Sequence, residues 1–229
     1  MILLTGYGNG GYRGQEPVHK DHIKKAFDLL DRDHMLVLSG GNTQPELNVD
    51  KNEAEEVYDF ALNIGVEKAE IIEEKIIFEK FARDSFENLF FSLLAFKKET
   101  GDWPQKTTIV SFNFKKYRFN AISIGLKLPI LSFLACEDIW LPAEQAEAAQ
   151  LSESNIIEKM IEGKKIWDPL QRAISFREKR EQRRHKNFKS EKEYLERIEK
   201  EYGFGDLLKQ VEELNPGPEW KSIDWPWHS

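Results

Sequence analysis

A chain of 229 residues, 40% hydrophobic and 32% charged, is long enough for one α/β domain with a well-buried core and an appendage. Its formal net charge of -7 argues against general nucleic-acid binding, and no run reaches the roughly 18 apolar residues a membrane span needs. A lone cysteine, Cys136, excludes an internal disulfide; with no basic-then-apolar leader after Met1, the chain reads as cytoplasmic.

Ile2–Thr5 reads as a first strand, followed by the glycine-rich loop Gly6-Tyr7-Gly8-Asn9-Gly10-Gly11. Asp21–Leu30 carries Ile23, Ala26, Phe27 and Leu30 at helical spacing. Met35–Leu38 is a second strand. The next helix starts near Asp50 or Asn52, turns Ala54, Val57, Tyr58 and Ala61 inward, and ends at Gly65. Ala69–Ile72 reads as a third strand. Asp84 or Ser85 then caps a helix in which Phe86, Leu89, Phe90, Leu93 and Leu94 repeat at helical spacing.

Thr107–Phe112 is a fourth strand, Lys116–Ile124 a helix, and Ile130–Phe133 a fifth strand, with Cys136 as a small buried residue near its end. This alternation implies right-handed crossovers. The expected fold class is α/β: a doubly wound, mainly parallel, Rossmann-like sheet with helices on both faces and a helical C-terminal extension.

That core is expected over residues 1–136, the helical extension over 137–214 and a Pro/Trp-rich tail over 215–229. Ala143–Ala149 and Asn155–Ile161 look helical, and Trp167-Asp168-Pro169-Leu170 breaks the pattern. Phe176–Ser190 holds seven Arg or Lys and two Glu, read as a solvated helix in preference to a nucleic-acid arm. Glu191–Tyr202 is helix-prone. Of Trp220, Trp225 and Trp227, some are expected to pack on the body because of their large apolar area.

Ligands of open parallel sheets bind outside the carboxyl ends of the strands. Three strands end suggestively: into Gly8, Asn9 and Gly10; into Ser39, Gly40, Gly41 and Asn42; and into Ser111 and Asn113. Glycines there let backbone N–H groups approach an anion, or simply make tight turns. The first loop lacks dinucleotide spacing and the Lys-Ser/Thr of a phosphate-binding loop.

Glu53 opens a helix, where the dipole favours a carboxylate; facing the crevice, it would bind a hydroxyl or amine, or serve as catalytic acid or base. Arg83 is placed to clamp phosphate or carboxylate, and Asn88 to make an amide contact or a loop tie. Lys115 and Arg118 share a helical face just past the fourth strand and favour anion binding. His19 and His22 also share a face, without an evident third metal ligand. Neither Ser39 nor Ser111 has a base visible in sequence.

Taken together, Ser39-Gly40-Gly41, Glu53-Ala54, Ser85 with Glu87-Asn88, and Ser111 through Arg118 resemble the DUF218 family of YdcF-like and SanA-like proteins, closest to its soluble, eukaryote-type branch. The likeness covers about residues 1–129 and implies a Rossmann-like fold. Many family members carry His where Lys115 stands, which tilts the reading from proton transfer towards holding an anion. The resemblance also brings in nucleotide-like ligands, S-adenosylmethionine among them; no cofactor follows from the residues themselves. The leading expectation is a hydrolase or transferase acting on a phosphate-bearing or nucleotide-like small molecule. The alternative is a non-catalytic sensor of such a metabolite.

Overall fold

A computed structural model describes residues 1–6, 16–42, 51–66, 73–128, 131–136, 147, 151, 180, 182–183, 188–213 and 223–228. Strands β1 (Ile2–Thr5), β2 (Leu36–Ser39), β3 (Ile76–Glu79), β4 (Thr107–Phe112) and β5 (Leu131–Cys136) form one parallel sheet in the order β3-β2-β1-β4-β5. In register, Leu3 pairs with Val37 and Ile109, and Val37 with Ile77.

The helices are α1 (Glu16–Asp28), α2 (Glu53–Asn63), α3 (Ser85–Thr100), α4 (Lys116–Gly125), α5 (Glu191–Tyr202) and α6 (Gly205–Glu213). Strand side chains alternate between faces, so each face needs its own cover. Ile2, Leu4, Leu36, Leu38 and Val110 pack with Ile23, Phe27, Val57 and Ala61 of α1 and α2. Leu3, Val37, Ile77 and Ile109 pack on the other face with α3, α4, α5 and α6. The fold is the expected doubly wound α/β sheet.

Local chemistry explains the helix starts. Asn52 caps α2 in a full capping box with Glu55, and the Asp84 side chain accepts the Glu87 N–H at the start of α3. Past α2, Gly65 takes φ 70°, which suits glycine. From Ser85 to Ala95 every residue of α3 is buried, so this helix is the spine of its layer.

The expected strand at 69–72 lies outside the described residues; β3 is instead the next apolar run, Ile76–Glu79, and it ends in an acid. The expected helices at 143–149 and 155–161 lie outside them too, apart from the helical Glu147, as does Trp220. Within the extension, α5 buries Tyr194, Ile198 and Tyr202, and both tyrosines pack edge-on to Phe81. Trp225 and Trp227 stack at 5.2 Å, meet Phe90 at their edges, and Trp227 Nε1 donates to the Leu126 carbonyl at 2.6 Å. Cys136 is buried at the end of β5. No helix among the described residues is long and apolar enough to cross a membrane.

His22 faces the sheet from α1, His19 packs edge-on to Phe60 of α2, and both are buried. His22 Nε2 lies 3.1 Å from the Val110 carbonyl, and burial holds the imidazole down at about 3, against an ordinary 6.5. His19 is likewise lowered by burial, to about 4. An imidazole whose folded value is depressed takes up its proton in the unfolded chain first, so the stability it contributes is present above pH 6.5 and lost as pH falls towards 3. A His22→Gln variant keeps a donor for Val110 but cannot titrate. Its destabilisation in urea at pH 7 should shrink by roughly 2–3 kcal/mol at about pH 4.5. An unchanged gap between the two proteins would show that His22 is not held neutral.

Candidate functional site

The strand order reverses between β1 and β4: the chain winds outward from β1 to β3, then crosses back to lay β4 on the other side of β1. Loops leaving β1 and β4 therefore diverge, opening a crevice at the carboxyl edge. Two contacts span it. Thr5 Oγ1 and Ser111 Oγ hydrogen-bond at 2.9 Å in its floor, and Lys115 Nζ donates to the Gly6 carbonyl at 3.4 Å above them.

Glu53 lies over the same edge. A Cβ added at Gly6 would fall 1.9 Å from Glu53 Oε2, and one at Gly40 would fall 2.7 Å from Glu53 Cβ. The carboxylate is therefore seated against the backbone of both strand exits, which only glycine permits. Its helix is tied there as well, because the Glu53 and Ala54 N–H groups donate to the Gly41 and Gly40 carbonyls.

The expectation that these glycines lend their own N–H groups to an anion needs correcting. Gly6 N–H donates to the Ser39 carbonyl and Gly40 N–H to that of Glu79, extending the sheet ladder by one residue, while Gly41 N–H donates to the Ala82 carbonyl in the turn after β3. Gly41 is glycine for space: a Cβ there would lie 2.9 Å from backbone atoms of Phe81 and Ala82. Gly8, Asn9 and Gly10 lie outside the described residues.

Beyond β4, the turn Asn113–Lys115 leads into α4, with Asn113 exposed and Lys115 and Arg118 half-buried. Lys115 reaches across to β1, while Arg118 reaches the other way and donates to Ser85 Oγ at 3.1 Å. The first turn of α4 holds no acid, and Lys115, Lys116 and Arg118 stand at its positive dipole end. Asn42 is half-buried at the β2 exit.

Ser39 and Ser111 point inward. Ser111 is engaged with Thr5, and Ser39 Oγ lies 2.6 Å from Glu79 Oε2 and 2.9 Å from Asn88 Oδ1. Asn88 is thus a tie between α3 and the β2 exit. Glu79 Oε1 accepts the N–H groups of Phe81 and Ala82 at 2.7 and 3.0 Å. Burial lifts its carboxyl to about 7, against the pull of Ser39 and the two N–H donors, with Glu87 adding to the rise.

Arg83 is not an anion clamp. It is 2% exposed and stacks on Tyr194 at 3.8 Å. Its five N–H donors are all occupied, by both carboxylate oxygens of Glu87, both of Glu191 and the Arg180 carbonyl. Arg180 is buried too and pairs with Asp84 at 2.8 Å and Glu87 at 3.3 Å. Burial alone would raise the Asp84 carboxyl; Arg180, the Glu87 N–H and Arg83 together outweigh it and hold the group below the ordinary carboxylate range. Arg183 donates to the Arg83 carbonyl. The basic segment, expected to be solvated, thus fastens the extension to α3 through two of its arginines.

Glu79 and Thr5 are the residues that sequence reasoning passed over. For Glu79 a signal existed: an acid ending an apolar run, as Ser39 ends β2 in register beside it. For Thr5 there was none, because its partner Ser111 is 106 residues away. A groove of about 890 Å³, lined by residues including Met1, His34, Lys97, Trp103 and Trp227, lies at the amino ends of β1 and β4. It is at the opposite edge from the convergence of glycines, carboxylates and cations, so the crevice is the stronger candidate. Among the described residues no group of three His, Cys, Asp or Glu is arranged to hold a metal ion.

No family model matches the chain, and comparisons with curated proteins and with solved structures gave no match.

Replacing Arg83 with Met should cost about 3–5 kcal/mol in urea denaturation, since Glu87 keeps its buried charge and loses its closest bidentate partner. A loss under about 1 kcal/mol would return Arg83 to the list of ligand-binding candidates.

Proposed function

We propose that the crevice binds a phosphate-bearing or nucleotide-like small molecule and that the protein acts on it as a hydrolase or transferase. The observation that carries this reading is the position of Lys115 and Arg118. They flank the point where the strand order reverses, at a helix start whose dipole adds to their charge. A bound anion there gains charge-assisted hydrogen bonds.

Glu53 is the residue placed to act as acid or base. Seated against Gly6 and Gly40, it is held by backbone on two sides and stands at the same edge as the cations. The resemblance to DUF218 in the ordered set of motifs agrees with this location.

A second reading, a non-catalytic sensor, is favoured by one observation. The hydroxyls of Ser39 and Ser111 are both buried and engaged with neighbours, so neither is presented as a nucleophile. Under the leading reading, water or a second substrate is the nucleophile and Glu53 takes its proton.

Calorimetric titration with pyrophosphate and ADP, followed by turnover assays on whichever binds, separates the two. Lys115→Ala and Arg118→Ala are each expected to weaken binding about 10- to 100-fold, the loss of one charge-assisted contact. Full affinity in both variants would reject the crevice as the site. Glu53→Gln should leave affinity within a few-fold and lower turnover about 10²- to 10⁴-fold. Tight binding with no turnover in the unaltered protein would decide for the sensor.

A further inference from the structure

Ser39 Oγ has one proton and three acceptors around it. Glu79 Oε2 lies at 2.6 Å, Asn88 Oδ1 at 2.9 Å and the Asn88 carbonyl at 3.4 Å. With Glu79 ionised, the hydroxyl donates to the carboxylate and turns a lone pair towards Asn88 Oδ1, which repels it. With a proton on Oε2, the carboxyl donates to Ser39 and Ser39 donates to Asn88, so both short contacts become hydrogen bonds. Oε1 accepts from Phe81 and Ala82 in either state.

The surroundings favour the proton. Glu79 is fully buried; Glu87 faces it from α3, and from α5 Tyr194 faces it while the Tyr202 hydroxyl hydrogen-bonds to it, none of these being cationic. The neighbouring Lys80 turns away to pair with Glu55. Burial and Glu87 together bring the carboxyl to about 7, so the proton is exchanged in the ordinary working range of pH.

The proton has a consequence outside the core. An amide group is planar, so holding Oδ1 of Asn88 on Ser39 turns its NH2 the other way. Asn88 and Ser85 are three residues apart on α3 and share a face, and Arg118 already reaches Ser85. We propose that Glu79 is a positioning residue of the crevice: protonated, it holds through Ser39 the Asn88 amide with its NH2 directed to an anion beside Arg118. Ionised, it takes the Ser39 hydrogen bond for itself, and the Asn88 amide turns over to donate to Ser39 instead. Anion binding and uptake of one proton by Glu79 from solvent are thereby linked. This rests on the reading of the crevice as an anion site.

Titrating pyrophosphate into the protein and into Glu79→Gln from about pH 6 to pH 8.5 tests the link. The substituted amide imitates the protonated acid, its NH2 donating to Ser39 and its oxygen accepting from Phe81 and Ala82. The expected result is an affinity ratio, variant over wild type, that is near one at pH 6 and rises about tenfold per pH unit above 7. The ionisations of pyrophosphate and of Lys115 are common to both proteins and cancel. Repeating the titration in buffers of different ionisation heat should show about one extra proton taken up by the wild type around pH 8. A ratio that stays flat with pH overturns the proposal.

Carboxyl-carbon NMR of Glu79 in the unliganded wild type keeps the test independent of both folding of the variant and the ligand. A midpoint near 7, shared by the Asn88 side-chain amide signals, is the expected outcome. A midpoint in the ordinary carboxylate range, or Asn88 signals that do not follow it, overturns the proposal even if pyrophosphate binds. If pyrophosphate binds neither protein at any pH, the anion-site reading falls, and the NMR titration alone judges the coupling of Glu79 to Asn88.

Discussion

Two carboxylates, Glu79 at the end of β3 and Glu87 in the first turn of α3, are taken almost completely out of water within a few residues of each other. A buried carboxylate has to be paired or to give up its charge. The molecule uses both solutions side by side. Glu87 lies between Arg83 and Arg180, with Glu191 and Asp84 balancing the arginines. Glu79 receives only neutral donors, the hydroxyls of Ser39 and Tyr202 and two backbone N–H groups, and holds a proton more strongly than an ordinary carboxyl. These two arrangements fix the first turn of α3 and the turn before it. That turn in turn receives the N–H of Gly41 and so sets the β2 exit.

The crevice inherits its shape from these ties. Gly6 and Gly40 serve as a seat for the Glu53 side chain, and their N–H groups continue the sheet. The positive groups come from one segment, the turn and helix after β4. Their divergence to Gly6 on one side and Ser85 on the other spans the gap left by the reversal of strand order. A carboxylate at the same edge as a cationic rim suits a ligand with both an anionic group and a hydroxyl or amine.

The C-terminal extension is part of the same construction. Tyr194 stacks on Arg83 and donates to the Phe81 carbonyl, while Trp225 and Trp227 complete the core against Phe90. Residues whose local sequence looks solvated, such as Arg180, end among the most buried in the protein. Removing water from a guanidinium is tolerable here because acidic partners from two separate segments, 84–87 and 191, meet at it or at its neighbour Arg83.

Local pattern was enough for much of the scaffold. Apolar runs such as Ile2–Thr5 and Thr107–Phe112, the caps Asn52 and Asp84, and the helical repeat of α3 depend on neighbours within a few residues, so they are legible in sequence. The alternation of these elements likewise determined a doubly wound parallel sheet, because short right-handed crossovers leave few alternatives. The fate of each polar side chain at the strand ends was decided only in three dimensions. Beyond its bonds to Glu87, the rest of the Arg83 guanidinium is filled by Glu191 and the Arg180 carbonyl, 108 and 97 residues away, and the Glu79 carboxyl meets Ser39, 40 residues earlier. Charge and polarity are written in the sequence, but burial and partnership are properties of the folded packing, and these separate the half-buried cations at the crevice from those sealed inside the core.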